Sequence, residues 1–120
     1  MLKDLMTSAP RTEPLIRLYP TYIIFNSPAA EMLGLKYCSS VAIQQDDRSG
    51  YIYVAGCNSF KQTYGLRLRC NTYVLSNAPL CRKLADKLEG YGSYRLSQDD
   101  VIDVMGNKFY NIFKKKYGND

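Results

Sequence analysis

Val41-Ala42-Ile43-Gln44-Gln45-Asp46-Asp47-Arg48-Ser49-Gly50-Tyr51-Ile52-Tyr53-Val54-Ala55 is the stretch that decides the fold. Two runs rich in β-branched and aromatic residues flank the turn chemistry of Asp46 to Gly50, so the segment is predicted to fold back on itself as an antiparallel hairpin. Upstream, Tyr22-Ile23-Ile24-Phe25 reads as a buried strand. Ser27-Pro28-Ala29-Ala30-Glu31-Met32-Leu33-Gly34 comes next, with Ser27 as N-cap, Pro28 at the first helical position and Gly34 as the stop. A short helix over about 27–33 is the consequence.

Downstream, Gly65-Leu66-Arg67-Leu68-Arg69-Cys70 alternates apolar and basic residues, the period of a half-buried strand. Thr72-Tyr73-Val74-Leu75 extends it or pairs with it across Asn71. Ser76-Asn77-Ala78-Pro79 then opens the main helix, predicted over about 77–89, in which Leu80, Leu84 and Leu88 recur every four residues and Gly90 supplies the stop. Tyr94-Arg95-Leu96 is a short strand, Ser97 with Asp100 resembles a capping box opening a brief helical turn, and Lys108 to Phe113 is the last strand. Pro10, Pro14 and Pro20 keep residues 1–20 extended as an arm, within which Leu15 to Tyr19 could pair as an edge strand. The predicted organisation is therefore the arm 1–20, a single α+β domain over 21–113 and a basic tail over 114–120. Its architecture is a small, curved, mainly antiparallel β-sheet or partial barrel covered by one main helix.

Composition excludes more than it assigns. The 120 residues contain no histidine, which removes a Ser-His-Asp triad, a Cys-His dyad, a His-ligated metal and a His-based pH switch from this chain's own repertoire. Cys38, Cys57, Cys70 and Cys81 lie too far apart in sequence for a zinc site and read as reduced thiols in apolar surroundings. Asp46-Asp47 and Asp99, Asp100 and Asp103 fall in segments that look solvated, where carboxylates keep ordinary acidities and do no acid-base work. Gly90-Tyr91-Gly92 follows a helix, whereas a phosphate-binding glycine loop follows a strand and opens one. No enzyme activity, cofactor or metal is expected. Met1-Leu2-Lys3-Asp4-Leu5-Met6 carries a charge pair where a signal peptide needs an unbroken apolar core, and no apolar run reaches the roughly 18–20 residues of a membrane span. The expected location is the cytoplasm or a virion, with no membrane partner.

What remains is surface. Sixteen Lys and Arg against eleven Asp and Glu give a formal charge of +5, and eleven Tyr supply rings that pack on one side and keep a hydroxyl for a partner. Arg67, Arg69, Lys114, Lys115, Lys116 and Tyr117 form the candidate set for binding an acidic partner, whether protein or nucleic acid.

Two resemblances arise from these segments. Tyr22 to Val54, with its strand, Leu33-Gly34-Leu35-Lys36 turn and hairpin, is similar to the swapped-hairpin (AbrB-like) transition-state regulators, which implies dimerisation and DNA binding. Phe25-Asn26-Ser27-Pro28-Ala29-Ala30, Leu33-Gly34-Leu35-Lys36, the Gln45-Asp46 end of a strand, Gly65 to Arg69, Ser76-Asn77 before a leucine helix and Lys108-Phe109-Tyr110 together resemble a group of small proteins of Bacteroidales bacteria and their phages, and imply a phage or mobile-element setting. The expected function is accordingly non-enzymatic: an accessory protein of a phage particle or mobile element that docks on larger protein partners, alone or as a homo-oligomer or capsid-type assembly. The arm is expected to lie along a neighbour. The alternative is a dimeric DNA-binding regulator of swapped-hairpin type.

Overall fold

The computed structural model describes residues 13–58, 60 and 62–114. Its elements in chain order are β1 (Leu15–Leu18), β2 (Tyr22–Phe25), α1 (Ser27–Leu33), β3 (Ser40–Gln45), β4 (Ile52–Gly56), β5 (Tyr64–Gly65), β6 (Arg67–Arg69), β7 (Thr72–Ser76), α2 (Ala78–Lys87), β8 (Gly92–Val104) and β9 (Asn107–Lys114). The strands join one sheet in the order β5-β3-β4-β9-β8-β1-β2-β7-β6. Every neighbouring pair is antiparallel.

The two ends of that order, β5 and β6, are separated in the chain by Leu66 alone. A sheet whose edges are tied by one residue has to curl until they meet, and the result is a nearly closed barrel. Leu66 marks the seam: its N–H donates to the Ser39 carbonyl at 2.9 Å instead of continuing one straight strand.

Alternate residues fill the interior, from Ile16 and Leu18 on β1 through Ile23 and Phe25, Ile52 and Val54, to Tyr94, Leu96 and Ile112. Both helices add their apolar faces to this one core, α1 through Ala29, Ala30 and Leu33, α2 through Leu80, Cys81 and Leu84. Asn26, not Ser27, caps α1: its side chain accepts from the Ala29 N–H at 2.9 Å and from the Leu15 N–H at 3.0 Å, so one residue starts the helix and seats β1. Ser27 and Pro28 form the first helical turn. Gly34 at φ 67 ends it. Gly56 lets that helix end sit directly on β4, since a Cβ there would lie 2.1 Å from the Leu33 carbonyl oxygen. Asn77 caps α2, which ends at Lys87, just before the buried Tyr94 hydroxyl accepts from the Glu89 N–H at 2.9 Å and donates to the Gly90 carbonyl.

Three sequence expectations change. Residues 15–18 are not part of an arm or an edge strand; β1 is hydrogen-bonded to β2 on one side and β8 on the other. Pro14 and Pro20 fall just outside the four paired residues, so β1 keeps all its ladder donors. Residues 1–12 of the expected arm, and 115–120 of the expected tail, lie outside the described residues, while Lys114 belongs to β9. Ser97 and Asp100 open no helical turn, because β8 runs on through them to Val104.

Candidate interaction site

β8 outgrows its neighbour. Its pairing with β1 ends at Leu15↔Arg95, beyond which comes, among the described residues, only a bond from the Leu96 N–H to the Pro14 carbonyl at 3.2 Å. Against β9 the register jumps from Leu96↔Ile112 to Val101↔Tyr110, which leaves Ser97, Gln98, Asp99 and Asp100 opposite the single Asn111. Such a bulge bends the strand and re-aims the residues beyond it. The Ser97 hydroxyl holds it by accepting from the Asp99 and Asp100 N–H groups at 3.2 and 3.0 Å. Asp100 is anchored from β4, where the Tyr53 hydroxyl donates to its two oxygens at 3.1 Å. Burial first, and the Asp100 carboxylate second, push the Tyr53 phenol above its ordinary range, so it stays a proton donor at neutral pH. Asn111 ties the other side to β4, donating to the Ile52 carbonyl at 3.3 Å.

Beyond the bulge, residues 101–110 form a hairpin closed by Met105 and Gly106, both at positive φ (53° and 85°), the mirror-image turn that suits twisted strands. Asp103 steadies it by accepting the Gly106 N–H at 3.1 Å. The hairpin presents Val101 (37% exposed), Ile102 (38%) and Met105 (88%) to solvent. Its Phe109 and Val104 join a second apolar cluster, separate from the main core, made of Ala42, Tyr53, Ala55 and Phe109 with Phe60 and Val104 against it. Phe60 and Phe109 meet edge to face at 5.2 Å. Beside them an open recess of about 200 Å3 is lined by Gln44, Asp46, Tyr53, Phe60, Ile102 and Phe109.

Among the described residues, the basic side chains singled out in the sequence stand in two separate places. Arg67 and Arg69 stand exposed on β6. Lys114 ends β9, which lies across the barrel from β6, and its ammonium sits 5.0 Å from the centre of the Tyr94 ring and donates to the Tyr91 carbonyl at 3.4 Å. Lys115, Lys116 and Tyr117 fall outside the described residues. Leu68, expected on a half-buried face, is 60% exposed on β6, which among the described residues is paired only to β7. Of the tyrosines, Tyr37, Tyr51 and Tyr91 are exposed.

Little in the site resembles reactive chemistry. All four cysteines are free; Cys57 and Cys81 are buried, and burial pushes the Cys81 thiol up, away from the thiolate. The Ser49 hydroxyl and N–H hold Asp46 below the usual carboxylate range, which keeps it a turn acceptor. Among the described residues no group of three or more Cys, Asp or Glu could hold a metal ion, and no helix is long and apolar enough to cross a membrane.

The sequence reading passed over Val101, Ile102 and Met105. A signal was available: Met105-Gly106 between the β-rich Val101 to Val104 and Lys108 to Tyr110 is the pattern of a two-residue hairpin turn. Fold and surface define a nearly closed α+β barrel bearing one outgrown hairpin. No family model, no curated protein and no solved structure matches the chain.

Proposed function

We propose that the chain is a non-enzymatic interaction protein that docks on a larger protein partner through the β8–β9 hairpin. The observation that carries this reading is Met105, an apolar side chain almost wholly in solvent and held in a left-handed backbone conformation that disfavours it. Strain of this kind persists where function uses it, and an exposed apolar tip is what a partner surface covers. The Tyr53–Asp100 anchor supports the same reading, because it fixes the hairpin's direction before any partner arrives. The phage or mobile-element setting rests on the resemblance of the segments named above.

Expressed in the cell that produces it, the full chain should co-sediment with large assemblies, and Met105→Asn should leave it in the slow fraction. Wild-type chain found only in the slow fraction would refute the reading.

A DNA-binding regulator is the second reading, favoured by exposed Arg67 and Arg69 alternating along β6. Weighing against the swapped-hairpin form, the β3–β4 hairpin has its outer sides occupied within the chain, by β5 and β9. Binding to duplex DNA that falls steeply with salt and is lost in Arg67→Ala/Arg69→Ala is the result this reading requires.

A further inference from the structure

Several strand segments pair on one side only among the described residues, and two of them carry more than one charged side chain, of opposite sign. One is β6 at the seam, Arg67-Leu68-Arg69, paired only to β7 among the described residues. The other is β8 beyond Leu96, which among the described residues pairs only with β9. Around this second edge stand Asp99, Asp100 and Asp103, an acidic strip on a chain whose formal charge is +5. Backbone direction is set by the turns. Residues flanking a two-residue turn exchange ladder bonds, and the pattern alternates from there. Val104 and Ile102 therefore spend their N–H and C=O groups on β9, while Asp103 and Val101 turn theirs outward. By the same count from the Cys70-Asn71 turn, Arg69 and Arg67 bond to β7 and Leu68 faces outward.

We propose that the β8 edge of one copy of this chain accepts the β6 edge of another as an added antiparallel strand. The inference rests on the docking reading and names a second copy as an occupant of the hairpin. Two exposed edges can meet in three ways. β8 on β8 crowds two acidic strips into one seam, pairing Asp99 with Asp103 in the register centred on Val101. β6 on β6 sets Arg67 and Arg69 against their own copies. Like charges directly opposite destabilise a sheet pair. Only β6 on β8 joins opposite charges. With Leu68 opposite Val101, the outward backbone groups of both face each other, the two apolar side chains meet, and Arg69 falls opposite Asp100. The contact is heterologous, so it leaves a free β8 at one end and a free β6 at the other and propagates into a ring or a filament.

The test uses the full chain and two variants in sedimentation velocity over a range of concentrations, at low and at high salt. Arg67→Glu/Arg69→Glu spoils β6 alone. Asp99→Asn/Asp103→Asn removes two charges from β8 and keeps an oxygen for the Gly106 N–H. Unchanged circular dichroism and melting temperature establish that both fold. Wild type should associate without a fixed stopping point, on the order of tenfold more weakly at high salt. Arg67→Glu/Arg69→Glu alone should remain monomeric. Asp99→Asn/Asp103→Asn, which keeps Asp100 opposite Arg69, should associate more weakly than wild type. At concentrations where each is monomeric alone, an equimolar mixture should form a species of two copies and stop there, since one intact β6 meets one intact β8. A wild type monomeric throughout, or a mixture that stays monomeric, overturns the contact. If that monomer still co-sediments with large assemblies through Met105, the docking reading survives without it. Association of the purified chain, with no co-sedimentation with large assemblies in the cell, supports the contact and removes the docking reading.

Discussion

Replacing Met105 by Asn separates what the turn needs from what the tip offers. At φ 53 a non-glycine residue carries a backbone penalty of roughly 1–2 kcal/mol. Asn bonds locally and suits the first position of this turn, so it relieves about half, on the order of 0.5–1 kcal/mol. With 88% of Met105 in solvent, almost no burial is lost from the isolated chain. An unfolding entropy near 2.1 cal/mol/K per residue gives about 0.25 kcal/mol/K for 120 residues, so the melting temperature should rise by about 2–4 °C. Docking should move the other way. A methionine buried by a partner contributes about 1.5–3 kcal/mol, and its loss weakens the complex by roughly ten- to a hundredfold. Calorimetric melts and co-sedimentation on the same preparation read both quantities. A fall in melting temperature would mean that Met105 packs on something in the free chain, and unchanged co-sedimentation would take it out of the docking surface.

Tyr94→Phe deletes the hydroxyl that joins the Glu89 N–H to the Gly90 carbonyl at the end of α2, and should lower stability by about 1–3 kcal/mol; a melting temperature within a degree of wild type would show that this bridge holds nothing. Gly56→Ala places a methyl group 2.1 Å from the Leu33 carbonyl oxygen, so urea melts should show a loss of about 1–3 kcal/mol as the end of α1 is pushed off β4, and an unchanged midpoint would contradict that seating. Burial raises both the Tyr53 and Tyr94 phenols above the ordinary value near 10. The folded chain thus keeps protons that the unfolded chain releases, so this stability is whole below about pH 10 and is lost as pH climbs above it. Tyrosinate absorbance should show a late-ionising class that shrinks in Tyr53→Phe and in Tyr94→Phe; simultaneous ionisation of all tyrosines while the chain remains folded would refute it.

The parts of this fold that were legible are those decided within a few residues. The β3–β4 hairpin is dictated by two β-rich runs and a turn closed by Asp46 and Ser49, all inside one segment. The helix α2 is dictated by Asn77, Pro79 and the leucine spacing. A curved sheet or partial barrel was expected; the place where it closes was not legible, because Gly65 to Cys70 has the alternation of one strand, and what divides it is a bond from the Leu66 N–H to the Ser39 carbonyl, in a segment that reads as a separate element. The same distance problem hid the hairpin. A serine hydroxyl that accepts N–H groups two and three residues on makes the same bonds in a helix cap and in the bulge of β8. Tyr53, forty-seven residues from Asp100, selects the bulge. The exposed hairpin was therefore passed over: a charge-based reading finds Arg67 and Arg69 but gives no weight to apolar residues whose exposure depends on where β1 stops.

Where β1 stops also explains why charge and apolar surface occur together on this hairpin. A closed barrel hides its edges, and among the described residues the exceptions that carry clustered charge are the seam and the part of β8 that extends past Leu15. An exposed edge bearing Val101 and Ile102 invites unselective pairing unless something restrains it. Asp99, Asp100 and Asp103 supply that restraint through like-charge repulsion, and Arg67 and Arg69 supply it at the seam. Neither restraint acts against the opposite sign. The residues that keep identical edges apart are thus the ones that make unlike edges attract. Neutralising Asp99 and Asp103 should weaken the attraction to Arg67 and Arg69 and the repulsion between two β8 edges together, a coupled change that a role confined to solubility would not produce.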